Sequence, residues 1–253
     1  MRTALHPLGP TGPVSDAAAF VTALGLWDDP GRGDRPRVVA AMIGAADGRA
    51  TVDGGAGGLG SPADRSVLRE LRTAADALLV GAATLIAEGY ATLLDPPQQE
   101  VRLARGLPRE PVLATISRGP DPRLFDVPLF AEAGQRILVC TESRAALPDC
   151  AADVEALRMA EGTLTAAACL RHLRAGGARV VVSEGGPTLL RELLAEGLVD
   201  DLVLTIAPAL VAGEGRSVVN GPVFDPPLAL ELRDVLRGGD HLFLHYVPAG
   251  PAA

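Results

Sequence analysis

Short apolar runs alternate with amphipathic stretches over most of this chain, and the alternation predicts strands and helices in turn. Aliphatic and β-branched runs predict strands at residues 37–46, 76–80, 112–116, 136–140, 180–182 and 202–206. Helical spacing predicts helices at 16–26, 62–74, 163–175 and 187–196, and a short one ending at Glu88. Ser61-Pro62-Ala63-Asp64 is a helix start, with a capping hydroxyl, proline at the first helical position and an early acid. Two further strands, 228–235 and 241–247, follow one another with no helix between them. This pattern predicts an α/β fold with a central mixed, mostly parallel sheet flanked by helices and closed by antiparallel C-terminal strands. Residues 1–35, rich in Pro, Gly and Asp, are expected to form a loosely attached arm, and residues 36–249 a single domain.

The most informative junction is Val180-Val181-Val182-Ser183-Glu184-Gly185-Gly186-Pro187. A buried strand stops at two glycines and Pro187 opens a helix, with Gly197 just past its end. Glycines there let the backbone take φ > 0 and let a ligand approach the main chain. The first-turn N–H groups and the positive end of the helix dipole suit a phosphate. A plain Gly-Gly turn is the competing reading. Glu184 counts against it, because a carboxylate at a strand end beside an anion site is a poor packing choice.

Composition narrows the chemistry. The 253 residues are 48% hydrophobic and 21% charged, enough for a sizeable core. A net charge of -8 argues against nucleic acid or an anionic membrane as partner. No apolar run reaches the ~18 residues of a bilayer span. The N-terminus lacks a continuous apolar core, so no signal peptide and a cytoplasmic location are expected. Three cysteines without a C-x-x-C pair fit reduced thiols. The chain has no lysine, which removes a Walker A loop, a Schiff base and a lysine nucleophile. Any phosphate must then be held by arginine, backbone N–H groups or hydroxyls.

Other constellations point the same way. Gly81-Ala82-Ala83-Thr84 is a second strand end running into a helix, and Thr115-Ile116-Ser117-Arg118 a third, suited to a 2′-phosphate or an adenine ribose. There is no G-x-G-x-x-G. Arg65, Arg69 and Arg72 at i, i+4 and i+7 share a helix face and could hold a phosphorylated substrate, or could form a solvated basic edge. The glycine-rich loop 47–60 suits a lid over a reacting centre. His241 and His245 would stand about 13 Å apart on a strand, so no shared metal is expected.

Taken as a set, Ala46-Asp47-Gly48-Arg49, Leu71-Arg72, residues 75–84, Glu184-Gly185-Gly186-Pro187-Thr188-Leu189-Leu190 and Leu204-Thr205-Ile206-Ala207-Pro208 resemble the pyrimidine reductase of riboflavin biosynthesis. That reductase is usually the C-terminal domain of a bifunctional deaminase–reductase and has a dihydrofolate reductase-like fold. The resemblance spans roughly residues 37–247 and implies a standalone form, using NADPH to reduce the ribosyl group of a phosphorylated aminopyrimidine to a ribityl chain. It implies a homodimer, for which the tail 228–247 is a candidate surface.

By that resemblance Gly81, Ala82, Thr84, Glu88, Ser117, Gly185 and the stretch Gly186, Pro187, Thr188, Leu189, Leu190 contact NADPH. Arg72, with Arg69 from the same stripe, and Glu184 contact substrate. Glu184 assists proton transfer or binds sugar hydroxyls, with Asp47, which begins the loop next to the nicotinamide, as the second candidate.

The departures lie on the substrate side. There is no H-x-E with P-C-x-x-C, so no zinc deaminase is expected. The usual Ser-Leu-Asp-Gly is Ala-Ala-Asp-Gly, and residues 57–65 lack the aromatic of the bifunctional enzymes. A pterin-type reductase of the same fold and a non-catalytic NADPH-binding relative stay open.

Overall fold

In the computed structural model the described residues are 16–52, 55 and 58–249. The chain runs α1 (Ala17–Ala23), β1 (Arg37–Ala45), α2 (Pro62–Ala74), β2 (Ala77–Gly81), α3 (Ala82–Glu88), α4 (Pro96–Ala104), β3 (Val112–Ile116) and β4 (Arg136–Thr141). It continues through β5 (Asp153–Arg158), α5 (Ala166–Ala175), β6 (Val180–Ser183), α6 (Pro187–Ala195), β7 (Asp201–Ala207), β8 (Leu230–Gly238) and β9 (His241–Pro248). The nine strands form one sheet in the order β5-β4-β3-β2-β6-β1-β7-β9-β8. All neighbours from β5 to β7 are parallel, while β9 runs antiparallel to both β7 and β8.

The central strands are apolar throughout because helices cover both faces. Alternate residues part cleanly between two cores. Val39, Leu78, Val80 and Val182 pack with α1, α2 and α3 on one face, beside Phe20, Leu71 and Leu85. Val38, Ala77, Leu79 and Val181 face α5 and α6, beside Leu170, Leu190 and Leu193. Helix starts follow the sequence signals: Ser61 caps α2 through the Asp64 N–H, with Pro62 at its first turn, and Thr165 caps α5.

Several expectations change. The segment before β1 is not a loose arm from residue 16 onward. Phe20, Val21, Leu24 and Leu26 are buried in the first core, and Arg37 donates to the Leu24 carbonyl and pairs with Asp29. Residues 1–15 lie outside the described residues, as do 53, 54, 56 and 57 of the expected lid. Helix α4, strand β5 and two 3₁₀ turns at Pro122–Asp126 and Pro128–Ala131 carry no assignment in the sequence reading. The tetrapeptide Gly81-Ala82-Ala83-Thr84 does run from a strand end into a helix, with α3 beginning at Ala82 directly after β2.

The order of strands sets the site. The chain leaves β1 for β2, walks outward to β5, then returns to lay β6 between β2 and β1. Ligands of parallel α/β sheets bind at the strands' carboxyl ends where the direction of winding reverses. Here that point is the adjoining ends of β2, β6 and β1.

Candidate active site

Glycines bring two helix starts together at this point. Gly81 N–H donates to the Gly185 carbonyl at 2.7 Å, tying the end of β2 to the turn after β6. Gly185 has φ +74°, and a Cβ there would sit 2.7 Å from Met42 Sδ. The positive φ favours glycine, and any side chain there would also have to displace Met42. The Gly185–Gly186 peptide is cis. A Cβ on Gly186 would lie 2.6 Å from Thr84 Oγ1, so the Thr84 side chain packs directly against the start of α6. No side chain caps either helix. Their leading amides are left for a ligand.

Two cavities open on either side of this contact. The first, about 490 Å³, is walled by Met42, Leu71, Arg72, Tyr90 and Glu184, with Asp64, Thr205 and Glu88 among its polar groups. The second, about 420 Å³, runs past Ile116, Ser117, Arg118, Thr188 and Leu189. Ala83, Thr84, Gly186, Pro187 and Arg216 line both. The cavities are thus two lobes meeting at the paired helix starts, a shape for an elongated ligand with its anionic part in the middle.

Charge in the first lobe is tightly organised. Glu184 accepts from Arg72 Nε at 2.6 Å on one oxygen, and from Arg72 Nη2 at 2.7 Å and the Tyr90 hydroxyl at 2.6 Å on the other. The Arg72 guanidinium also lies 5.3 Å from the centre of the Tyr90 ring. Burial acts against the charge on Arg72, but the Glu184 carboxylate outweighs it and raises its pKa. Burial and the same carboxylate push the Tyr90 hydroxyl well above its ordinary 10.0, so it remains a donor. Across the lobe, burial raises the pKa of Asp64 despite the neighbouring Thr205, His241 and Arg65. An acid that keeps its proton to higher pH while facing a cavity can donate it.

The sequence model of the RibD C-terminal domain matches residues 36–244. The chain belongs to that family. A relative from Methanothermobacter thermautotrophicus, a 2,5-diamino-6-ribosylamino-4(3H)-pyrimidinone 5′-phosphate reductase, is 30% identical over 226 residues. The match covers 85% of this chain and 100% of the relative. Among solved structures, a pyrimidine reductase-like protein of Corynebacterium diphtheriae superposes with a TM-score of 0.79 at 24% identity, over 94% of this chain and 100% of the other. A deaminase/reductase from Thermotoga maritima, whose name gives 5-amino-6-(5-phosphoribosylamino)uracil reductase as its second activity, gives 0.67 at 21% identity, covering 86% of this chain and 58% of that one. The mostly parallel sheet with its antiparallel end agrees with the mixed α/β fold expected from the sequence.

Within this RibD C-terminal domain most of the expected ligand residues surround the two lobes. Gly81, Ala82, Thr84, Ser117, Gly186, Pro187, Thr188 and Leu189 line the second lobe or the junction, while Arg72, Glu184 and Glu88 line the first. Four expected residues are placed elsewhere. Asp47 lines neither lobe; its exposed carboxylate accepts from the Val211 and Ala212 amides at 2.9 and 2.7 Å, which also hold its pKa below the ordinary value. Arg69 pairs with Asp95 at 3.0 Å, half-exposed and outside the lining. At about 100° per residue, Arg72 lies near Arg65 on the helix face while Arg69 is rotated about 60° away from Arg72. Leu190 is fully buried in the second core, and Gly185 shapes the turn without lining a lobe.

Tyr90, Asp64, Thr205 and Arg216 escaped the sequence reading. Asp64 is explained locally as a helix-start acid, so nothing in its neighbours signals the cavity behind it. The expected strand histidines find separate partners, His241 the Leu59 carbonyl and His245 Asp201.

Proposed function

We propose that this chain is an NADPH-dependent reductase that converts the ribosyl group of 5-amino-6-ribosylaminopyrimidinedione 5′-phosphate to the ribityl form in riboflavin biosynthesis. The observation that carries the reading is the pair of lobes meeting at Thr84 and Gly186, with a glycine where a methyl group would collide. Membership of the RibD C-terminal domain family and the named reductase relative support the substrate class.

The residues fit the cofactor. Thr188 and Leu189 at the uncapped start of α6 would hold its diphosphate, and Ser117 and Arg118 the adenosine end with its 2′-phosphate. Bound NADPH supplies the hydride. The chain orients the substrate beside it, excludes water and manages the proton. Glu184 spends three of about four acceptor sites on Arg72 and Tyr90, and the remaining one suits a sugar hydroxyl. Gripped by Arg72 and Tyr90, Glu184 is a binding group here. Asp64, which lines the lobe, is the acid placed to pass a proton to the substrate.

The chain is also proposed to pair as a homodimer through β8, whose outer edge is unpaired among the described residues and which exposes Leu230 and Leu232. No helix among the described residues is long and apolar enough to cross a membrane.

The test is an NADPH titration of the purified chain followed by cofactor oxidation with the ribosylaminopyrimidine phosphate. Tight binding and turnover are expected. Binding without turnover overturns the reaction and leaves a nucleotide-binding fold.

A further inference from the structure

We propose that Arg216, on the loop after β7, is the clamp that closes on the cofactor's diphosphate, an inference that rests on the NADPH reading above. It is the only arginine that lines both lobes among the described residues, and it does so at their junction with Thr84, Gly186 and Pro187. Its guanidinium has no hydrogen-bond or ion-pair partner among the described residues, whereas Arg72, the other arginine deep in the site, is committed to Glu184. The second lobe otherwise contains one cation, Arg118, and one acid, Glu192.

The backbone around Arg216 is fixed from outside the site. Ala50 N–H donates to the Arg216 carbonyl at 2.8 Å, Val218 N–H to the Gly48 carbonyl at 3.1 Å, and Ala46 N–H to the Ala209 carbonyl at 2.9 Å. Arg49 bridges to Ser217 and its guanidinium donates to the Gly215 carbonyl. Asp47 completes the staple by accepting from the Val211 and Ala212 amides, with Ala212 at φ +59°. The loops that follow the adjacent parallel strands β1 and β7 are thereby sewn into one rim. That rim gives Asp47 its use: it is a positioning residue for the loop that presents Arg216. With no lysine in the chain, a mobile point charge is not on offer. A guanidinium facing two helix starts makes a bidentate grip on adjacent phosphate oxygens.

Binding is read directly by quenching of protein fluorescence with NADPH and NADH, for the wild type, Arg216→Ala and Arg216→Lys, with melting curves as a fold control. The exposed Arg216 side chain makes unchanged melting the expectation. Arg216→Ala should weaken both nucleotides by about tenfold or more, and Arg216→Lys should recover part of the loss. The wild-type Kd should rise more steeply with salt than that of Arg216→Ala. Loss for NADPH alone would assign the residue to the 2′-phosphate and overturn the proposal. So would unchanged nucleotide Kd values with weakened binding of the phosphorylated pyrimidine, or no change at all. A wild type that binds neither nucleotide removes the cofactor reading itself, a result distinct from a wild type that binds and a variant that binds equally well.

Discussion

At Glu184 a single carboxylate accepts three hydrogen bonds while only 5% of its side chain is exposed. Removing its charge leaves the Arg72 guanidinium buried without a counterion, which costs about 3–5 kcal/mol. Glu184→Gln should therefore lower unfolding stability by about 3 kcal/mol, read from urea transitions. Tyr90→Phe removes only one charge-assisted bond and should cost about 2 kcal/mol. Equal losses for the two would mean that the Arg72 pair is not the dominant interaction. Asp64 yields the opposite trade. Its folded pKa is raised above the ordinary 3.8, so its ionisation opposes folding once the pH passes that ordinary value. Asp64→Asn should gain stability at neutral pH, with the gain disappearing below about 3.8. The same change should cut kcat/KM by about a hundredfold and abolish the wild type's decline with rising pH. Glu184 was legible in the sequence because no packing role suited it at a strand end. Asp64 was not, because a helix dipole accounts for it without any site, and Tyr90 gives no local signal in a stretch without regular spacing.

Among the elements, α4 shows how a piece of chain far from the chemistry sets it. Its Arg102 is fully buried and donates to the carbonyls of Thr73 at 2.9 Å, Ala75 at 2.5 Å and Pro108 at 2.8 Å. Gln98 adds bonds to the Arg69 carbonyl and the Thr73 hydroxyl. These side chains serve as the C-terminal cap of α2, the helix that carries Arg72. Arg102→Ala should cost about 3 kcal/mol or more by leaving carbonyls buried without donors. It should also raise KM for the phosphorylated substrate, since the end of α2 would fray. A variant with normal KM and lowered stability would show that Arg72 is held by Glu184 alone. Of the helices that the sequence predicted, α1, α2 and α5 begin with side-chain caps and α6 with a proline beside a glycine, while α3 follows its strand directly at Gly81. Helix α4 opens on Pro96-Pro97, which reads equally as loop, and β5 (Asp153–Arg158) is an edge strand whose charged alternation resembles a solvated connection. Strand cores such as Val180–Ser183 were legible because burial on both faces requires an unbroken apolar run.

For the whole molecule, the mostly parallel sheet with its antiparallel tail was readable from the spacing of elements, whereas the order of strands was not. Nothing local to Val180-Val181-Val182 says that it lies between β1 and β2; that follows from pairing across the full chain. The proposed dimer is a prediction at this scale. Light scattering after gel filtration should give twice the chain mass, and Leu232→Asp on the edge strand should shift it to the monomer. A wild-type monomer at micromolar concentration would rule out the β8 edge as a stable interface.

The placement of β6 has a consequence for how this protein is made. Ala77 of β2 pairs with Val181, and Arg37 of β1 with Val180, so the two earlier strands share no ladder until β6 arrives between them. While the chain is being synthesised, β1 and the β2–β5 block can each collapse, but they face one another across a gap one strand wide. The facing edges of β1 and β2 stay open until the ribosome has delivered residues 180–183. A nascent chain halted before residue 180 should therefore depend on chaperones and be prone to aggregation. One released after β7 should close the sheet and become protease-resistant.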